Sequence, residues 1–577
     1  MSKDFFENYS EILYKCEKPS RYIGGEFLSA KKDFNEAKVK VALAFPDKYE
    51  IGISNFGHKI LYHILNEREE FLADRVYAPE QDFIQLLKKE GKELYSLDCK
   101  KPLREFDFIG FALQYELSYT TLLAMLEMSK VPVLSSERLE SDPIIIAGGP
   151  CVFNPAPMSK FIDLFLIGDG EQSLVEVCEK YAKLKKEGAS RSQIIKELSE
   201  IEGIYSPLHP NETKKRTSAL MFQDAPTKSP IPHFVSVHDR ATVEIRRGCA
   251  RLCRFCQSAH TNLPIRERPK KDVVELVKNY VQNTGYDEYS LLSLSSNDHS
   301  EIENIIEELN GHFDGSGVTV SLPSQRADNF SLKLANLMGT VKKSAVTIAP
   351  EAGTQRMRNI IKKNLTQEQI LSATLASVQN GWQKIKFYFM IGLPFELESD
   401  LKGIIDLLSE INKACRSAGL RLPQITCSVS IFVPKPFTPF QLCAQNSLAQ
   451  VEQKIAFLRD SLRSANLKNV RLKFHEPKVS QIEAFLTRGD EQIGNFVYEM
   501  FKQGAYLESW SENLDFEKCE QVAKKLGLDI AKSATVQISP ESTLPWGNIN
   551  CGLEKSYFED EFNKAVEVAQ SPTTVCP

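Results

Sequence analysis

Short apolar segments alternate with amphipathic helical patterns from residue 39 to about residue 440, and this alternation most limits the possible folds. In the first part, apolar runs at 39–45, 75–77, 106–113, 144–147 and 164–167 are separated by helical patterns. Strands that are apolar on both faces, with helices between them, are typical of parallel sheets covered by helices on both sides. Residues 39–202 are therefore predicted to form a doubly wound α/β domain.

The same alternation continues with six further strand and helix pairs between residues 241 and 440. The predicted strands are at 242–246, 289–294, 318–322, 345–349, 385–391 and 426–432. Six parallel units predict an open, partial (β/α)6 barrel, and in barrels of this kind the chemistry lies at the carboxyl ends of the strands.

A chain of 577 residues is too long for one core and should divide into several domains. We expect a helical lead-in at 1–38, the doubly wound domain at 39–202 and a proline-rich linker at 203–240. The barrel follows at 241–440, and a mostly helical C-terminal domain is predicted at 441–577.

Composition excludes several classes of protein. The net charge of −5 gives no overall basic footprint for nucleic acid, and no apolar run reaches the roughly 18 residues of a membrane span. The first residues contain acids and no apolar core, so they do not resemble a secretory signal. Thirteen cysteines, an odd number without a regular framework, fit reduced thiols. We expect a cytoplasmic protein with no membrane association.

Cys249, Cys253 and Cys256 have C-x3-C-x2-C spacing directly after the strand at 242–246. Soft thiolate ligands select zinc or an iron–sulfur cluster, and both usually take four protein ligands. Three cysteines therefore imply either a distant fourth ligand or an iron with an open position. Three buried core cysteines would fit poorly with the arginines between them, although a solvated basic loop would have the same composition.

This motif, with Phe255 before its third cysteine, resembles the signature of the radical S-adenosylmethionine (radical SAM) superfamily. The resemblance implies that the three cysteines hold a [4Fe-4S] cluster whose open iron binds S-adenosylmethionine (SAM). It further implies reductive cleavage of SAM to a 5′-deoxyadenosyl radical, and Phe255 is expected to pack against the adenosyl group. The arginines at 246, 247, 251 and 254 would suit an anionic cluster and a carboxylate ligand.

Four more residues follow the predicted strands, where the resemblance places SAM contacts. Ser295 lies in the loop that holds the SAM amino group in family members, although their G-G-E run is absent here. Arg326 could pair with a carboxylate or phosphate, or form a local salt bridge. Glu351 corresponds to an acidic residue that contacts the ribose or amino group. Gly392 corresponds to the turn along the adenine.

The phrases IAGGPCVFNP and IDLFLIGDGEQSL resemble the B12-binding-like N-terminal domain of many radical SAM proteins. The D-x-H-x-x-G motif that supplies a lower cobalt ligand is missing, because SNFG precedes His58 where an aspartate is required. Cobalamin is therefore a candidate cofactor only in a mode without this histidine. A domain that has lost the cofactor is the alternative.

Together these phrases resemble a bacterial subfamily with a B12-binding-like N-terminal domain and an Elp3/MiaB/NifB-like radical SAM core. The resemblance implies a radical SAM enzyme, with methyl or methylthio transfer as the expected outcome. An electron donor such as flavodoxin or ferredoxin is the expected partner. The basic run from residue 246 to 271 also admits RNA or a ribosomal component as substrate. The alternative is a non-catalytic metal- or cluster-stabilised RNA-associated binding protein.

Overall fold

The computed structural model describes residues 3–323, 326, 328, 332–338 and 345–571. The chain divides into two compact units. The first contains 1–239, 489–528 and 543–552, and the second contains 240–488, 529–542 and 553–577. Across the described ranges, no helix has both the length and the apolar character needed to cross a membrane.

Residues 3–239, the described part of this range, contain seven strands and seven α-helices. The strands are β1 Val39–Phe45, β2 Phe71–Tyr77, β3 Phe108–Ala112, β4 Ile144–Gly148, β5 Leu164–Leu166, β6 Ile204–Tyr205 and β7 Thr213–Lys214. The helices are α1 Lys3–Lys15, α2 Tyr49–Gly52, α3 Phe56–Asn66, α4 Gln81–Lys89, α5 Tyr119–Met128, α6 Gly170–Lys186 and α7 Arg191–Ser199.

The first unit is built on a six-stranded sheet with the order β2-β1-β3-β4-β5-β6. Strands β1 to β5 are parallel, and β6 pairs antiparallel with β5. The buried strands and helices α3, α6 and α7 share one apolar core. This order reverses between β1 and β3, and ligands of doubly wound sheets bind at the carboxyl ends of the strands at such a point. The predicted doubly wound fold is confirmed.

The described residues between 240 and 488 contain nine strands and nine α-helices. The strands are β8 Ala241–Glu244, β9 Arg246–Arg247, β10 Arg266–Glu267, β11 Glu288–Leu292, β12 Thr319–Ser321, β13 Val346–Glu351, β14 Lys384–Ile391, β15 Gln424–Ile431 and β16 Val470–Phe474. The helices are α8 Gln257–Thr261, α9 Lys270–Thr284, α10 Ile302–His312, α11 Leu332–Met338, α12 Gln355–Ile360, α13 Gln367–Gln379, α14 Glu398–Ser417, α15 Leu448–Ser464 and α16 Pro477–Thr487.

The second unit contains the six predicted barrel strands in two parallel sheets, ordered β12-β11-β8 and β13-β14-β15-β16. Every second side chain of β14 and β15 is buried against helices α13, α14 and α15. The alternate side chains face the other side of the sheet. The parallel βα arrangement predicted for this region is therefore present, and the carboxyl ends of its strands carry the candidate site.

Residues 489–571, where the described part of the chain ends, add four α-helices and one strand: α17 Glu491–Lys502, α18 Phe516–Lys525, α19 Ile530–Thr535, β17 Ile549–Asn550 and α20 Lys555–Gln570. The predicted C-terminal domain at 441–577 is divided between the two units. Helices α17 and α18 belong to the first unit, whereas α19 and α20 belong to the second. Amphipathic patterns predict such helices but do not identify the core against which each one packs.

Two elements differ from the prediction. Strand β16 is a seventh parallel strand in a region predicted to be helical, and it pairs with β15 at the edge of the sheet. Its pattern of apolar and charged residues has period two, as expected when one face of a strand is buried. The predicted linker at 203–240 also contributes to the first unit, because β6 extends the sheet and β7 pairs with β17.

Candidate functional site

The three motif cysteines lie in a loop between β9 and α8. Gly248 has φ +87°, and a Cβ atom there would lie 2.8 Å from the carbonyl oxygen of Asn262, so this turn requires glycine. The Cys256 amide donates to the Cys253 carbonyl over 3.0 Å. Cys256 also directly precedes α8. The loop is therefore held by backbone contacts at both ends, and its three thiols stay within one short segment.

Burial sets the direction in which the thiol pKa values shift. It raises the pKa of Cys253, against the opposing charges of Lys363 and Arg326. Burial and the neighbouring charge of Cys253 raise the pKa of Cys256 to about 12, and the Cys249 thiol adds to this effect. The three thiols thus share one environment. A bound metal would replace their protons, because thiolate is the form that ligates.

No three His, Cys, Asp or Glu side chains in the described ranges are arranged to hold a single metal ion. A four-iron cluster differs, because each of its irons takes its own ligand and the cysteines need not converge on one point. Three thiols from one loop, beside the cations of Lys363 and Arg326, suit such a cluster in donor chemistry and in charge.

The four arginines at 246, 247, 251 and 254, in β9 and the cysteine loop, bind carboxylates and carbonyls of the chain. Arg246 donates to the Asp298 carbonyl over 2.8 Å. The remaining three pair with carboxylates: Arg247 with Glu244 at 2.7 Å, Arg251 with Asp298 at 2.7 Å and Asp328 at 3.2 Å, and Arg254 with Glu561 at 3.2 Å. These contacts fix the cysteine loop, and the expected roles of the four cations towards a cluster, SAM or RNA stay predictions.

Glu351 lies at the end of β13 with φ +66°, next to a β-bulge in the pairing with β14. Its carboxylate accepts a hydrogen bond from Lys363 over 3.1 Å. Burial opposes the charge of Lys363, but the charges of Glu351 and Cys253 raise the pKa of this lysine above its usual value. The structure thus places an acid and a buried cation beside Cys253, at the carboxyl end of the sheet.

Arg326 already binds groups of the chain. Its guanidinium forms a bidentate pair with Asp328 at 3.0 and 3.1 Å, and it also donates to the Lys363 carbonyl over 3.1 Å. Of the two partners that the sequence allowed for Arg326, the local salt bridge is therefore present. Arg326 remains close enough to Cys253 to oppose the rise in the pKa of that thiol.

Ser295 is buried in the loop after β11, beside Asp298. Burial opposes ionisation of Asp298, but the hydrogen bonds and the positive charge of Arg251 keep the pKa of this carboxyl below its usual value. The loop after β12 is hydrogen-bonded to the loop after β11. The Asn297 side chain donates to the Arg326 carbonyl over 2.7 Å and accepts from its amide over 2.8 Å. These contacts join the loops after β11 and β12 to the cysteine loop.

Gly392 has φ +76° directly after β14, and its amide donates to the Glu396 carboxylate over 2.9 Å. Phe255 is half-buried in an apolar cluster with residues from the ends of β13 and β14, including Ala352, Met390 and Leu393. The Gly392 turn and Phe255 therefore lie at the same end of the sheet. All of the predicted site residues belong to the second unit.

Three residues with clear roles were not predicted. Lys363 lies in the turn between α12 and α13, where the following Asn364 has φ +48°. The Lys-Lys-Asn sequence at 362–364 predicts a turn, but it does not show which distant residues the turn contacts. Asp298 and Glu561 bind arginines of the cysteine loop from distant positions in the chain. Contacts over such separations leave no periodic signal in a single sequence.

Comparisons with known proteins cover both units. A family model described as "Radical SAM proteins, N-terminal" matches residues 57–207, and one described as "Radical SAM superfamily" matches residues 243–408. The protein MJ0966 of Methanocaldococcus jannaschii is 27% identical over 460 residues, which cover 79% of this chain and 90% of that protein. The tRNA-2-methylthio-N(6)-dimethylallyladenosine synthase of Thermotoga petrophila is 26% identical over 191 residues, or 31% of this chain and 42% of that enzyme.

A solved structure with a similar fold is the radical S-adenosylmethionine methyltransferase TsrM of Kitasatospora setae, with cobalamin and a [4Fe-4S] cluster bound. It has a TM-score of 0.53 and 13% identity, and the match covers 85% of this chain and 99% of that one. A second TsrM structure, with tryptophan substrate and the SAM analogue aza-SAM, gives a TM-score of 0.52 at 13% identity. At such low identity these matches show a shared fold.

Proposed function

Because this chain is a member of the radical SAM superfamily and an enzyme, we propose that it cleaves SAM reductively to a 5′-deoxyadenosyl radical. The observation that carries the proposal is the cysteine loop. Three thiols share one environment at the carboxyl end of a parallel sheet, beside Lys363 and Glu351.

In this proposal Cys249, Cys253 and Cys256 hold a [4Fe-4S] cluster. When bound, the cluster supplies the electron for cleavage of SAM, which chelates its open iron. The arginines of the loop hold the three ligands in place through Asp298, Asp328 and Glu561, as second-layer contacts do around many metals.

The polar residues of the site position SAM. Glu351 is the residue proposed to contact the SAM amino group or ribose, and Lys363 orients this carboxylate by donating a hydrogen bond to it over 3.1 Å. Ser295 contributes from the loop after β11. Arg326 supports the site through Asp328 and the Lys363 carbonyl. The carboxylate and the cation thus act as a preorganised pair.

The apolar side of the site excludes water. Phe255 and the Gly392 turn pack against the adenosyl group. The apolar side chains around Phe255 include residues of helix α20. Exclusion of solvent protects a reactive radical from hydrogen donors other than the substrate. Methyl or methylthio transfer is the outcome we favour, since the named relatives include a methyltransferase and a 2-methylthio synthase. A flavodoxin or ferredoxin is the expected electron donor.

Anaerobic reconstitution with iron and sulfide tests the proposal. We expect about four irons per chain and formation of 5′-deoxyadenosine from SAM and dithionite. Cys253→Ala should lose both. Cys415→Ala is the matched control, because Cys415 is a buried thiol in the apolar core of α14. An iron-loaded wild-type protein that forms no 5′-deoxyadenosine would reject the enzymatic proposal.

Cobalamin is less favoured as a cofactor in the first unit. The region over β1, β2 and the start of α5, where a ligand of this sheet would bind, is covered by residues 506–510 of the same unit. Four hydrogen bonds hold this segment: Tyr506 donates to the Pro79 carbonyl (2.6 Å), the Leu507 amide to Thr121 (2.8 Å), the Thr120 hydroxyl to the Glu508 carboxylate (2.7 Å) and Trp510 to Asp47 (2.8 Å).

A corrin bound here would have to displace these contacts. His58 is buried between Phe45 and Tyr77, with ring centres 6.1 and 5.8 Å away, so it is poorly placed to reach a cobalt ion. Protein incubated with hydroxocobalamin and desalted should retain none. Retention of one cobalamin per chain would contradict this interpretation.

A further inference from the structure

One face of the sheet β13-β14-β15-β16 is polar and open to solvent. The opposite face packs against helices and contains the alternate residues Ile385, Phe387 and Phe389 of β14. On the open face, β14 presents two lysines and Tyr388, which is 37% exposed. In the described part of the chain, helices α13, α14 and α15 pack on the opposite face, so the polar face is the inner face of the open barrel.

The strand register groups the charges of this face. Lys386 is level with Thr426 and Arg471, and Tyr388 is level with Ser428 and Lys473. Lys384 lies one step further towards the amino end of β14. The open-face residues of β14, β15 and β16, all within the described part of the chain, include four cations and no acid.

These cations differ from those of the cysteine loop. In the described part of the chain, no carboxylate pairs with Lys384, Lys386, Arg471 or Lys473. The Lys386 ammonium lies 4.7 Å from the centre of the Tyr388 ring, so positive charge and an exposed aromatic ring share one patch. Uncompensated cations beside an exposed aromatic ring are typical of surfaces that bind single-stranded nucleic acid.

The dimensions favour a chain of phosphates over a single one. Strands are about 4.8 Å apart and alternate residues about 6.6 Å apart, so the backbone positions that carry the cations of β14 and β16 are roughly 10 Å apart. Four cations spread over such an area can each meet a different phosphate of one strand. The hydroxyls of Thr426 and Ser428 lie between them, where they can bond to a ribose 2′-hydroxyl.

We infer that this face binds single-stranded RNA, with the phosphates on the cations of β14 and β16 and one base stacked on Tyr388. The next open-face residue of β14, Met390, packs in the same apolar cluster as Phe255. The RNA would therefore approach the candidate site along β14. Its role as the substrate rests on the proposed function, whereas its binding does not.

Fluorescence anisotropy with a labelled 12-nucleotide oligouridylate and the iron-loaded protein tests the inference. For single strands each phosphate contact contributes about 0.7 to the slope of log K against log salt, so Arg471→Gln/Lys473→Gln should reduce the slope by about 1.4. Tyr388→Ala should weaken binding roughly tenfold with an unchanged slope. Lys402→Gln/Lys413→Gln, on exposed positions of α14 behind the sheet, is the control and should match wild type.

Equal affinities for wild type and the two face variants would overturn the inference. So would displacement of the RNA by a polyglutamate peptide of equal charge as effectively as by unlabelled RNA, because the face would then recognise acids in general. The assay contains neither SAM nor reductant. Failure of the proposed function would instead appear as absence of 5′-deoxyadenosine while RNA binding persists, so the two failures are distinguishable.

Discussion

Glu561 of helix α20 is the contact that we expect to hold this helix over the cysteine loop. Its carboxylate is 5% exposed and receives Arg254 at 3.2 Å, Lys362 at 3.0 Å and Lys564 at 3.0 Å. The apolar side of α20 contributes Phe562 and Ala565 to the cluster that contains Phe255. The perturbation that tests this contact is Glu561→Gln, which keeps the shape of the side chain and removes its charge.

The expected cost follows from the partners that remain. Removing one member of a buried ion pair costs about 3–5 kcal/mol. Arg254 keeps its hydrogen bonds to the carbonyls of Asn359 and Ile360, at 3.3 and 2.7 Å, and glutamine can still accept one bond. We therefore expect a local loss of about 2 kcal/mol, equivalent to roughly 30-fold faster opening of α20.

Hydrogen exchange of peptides covering 555–570 measures this opening. The matched control is Glu559→Gln on the same helix, where an exposed pair with Lys555 at 3.6 Å should contribute at most about 0.5 kcal/mol. Burial opposes ionisation of Glu561, but hydrogen bonds from Lys362 and Lys564 and the charge of Arg254 keep its pKa below the usual value. Its stabilisation is therefore present at neutral pH and is lost as the pH falls through that lowered pKa. Equal exchange in the two variants at pH 7 would refute this account.

Two other predictions concern buried carboxylates. Glu351→Gln should weaken SAM binding by the loss of a charge-assisted hydrogen bond, about 2 kcal/mol or roughly 30-fold. Equilibrium dialysis of the iron-loaded protein checks this, and unchanged affinity would remove Glu351 from the SAM site. Burial raises the pKa of Glu508 to about 7, so the stability that its protonated form contributes is lost as the pH rises from about 4.5 to 7. Relative to Glu508→Gln, wild type should lose about 3 kcal/mol over this range in urea unfolding, and parallel curves for the two proteins would contradict the assignment.

The pattern of apolar and polar residues along the chain correctly predicted elements whose formation depends on neighbouring residues in the sequence. Strand β1 begins and ends at the predicted residues 39 and 45, because an apolar run between polar flanks marks a buried strand. The resemblance to the radical SAM superfamily, together with the rule that ligands bind at the carboxyl ends of parallel strands, selected Ser295, Arg326, Glu351 and Gly392 for the site. Glu351 ends β13 and the other three follow β11, β12 and β14, although their contacts with SAM remain a prediction.

Tertiary contacts set the limit of the sequence prediction. Arg326 was predicted with two possible partners, and only the folded chain shows that Asp328 and the Lys363 carbonyl hold it. Strand β16 was missed because a five-residue edge strand with one buried face resembles a polar loop. The packing of helix α20 against the cysteine loop was not predicted for another reason, since its buried Glu561 has the pattern of a solvated charge until Arg254 is known to face it.

In the second unit, cations that pair with groups of the chain are expected to stabilise the fold, whereas cations without such partners are expected to bind anions. The arginines of the cysteine loop are half-buried or buried, and each is held by a carboxylate or a carbonyl of the chain, so their replacement should release the loop and lower iron uptake. The cations of β14 and β16 have no such partner in the described residues, and their replacement should leave iron uptake intact while altering affinity for polyanions. A net charge of −5 hides this difference, because the acids that pair with the loop arginines cancel their charge in the sum. Position and pairing, rather than total charge, therefore identify the surface on which an anionic substrate would bind.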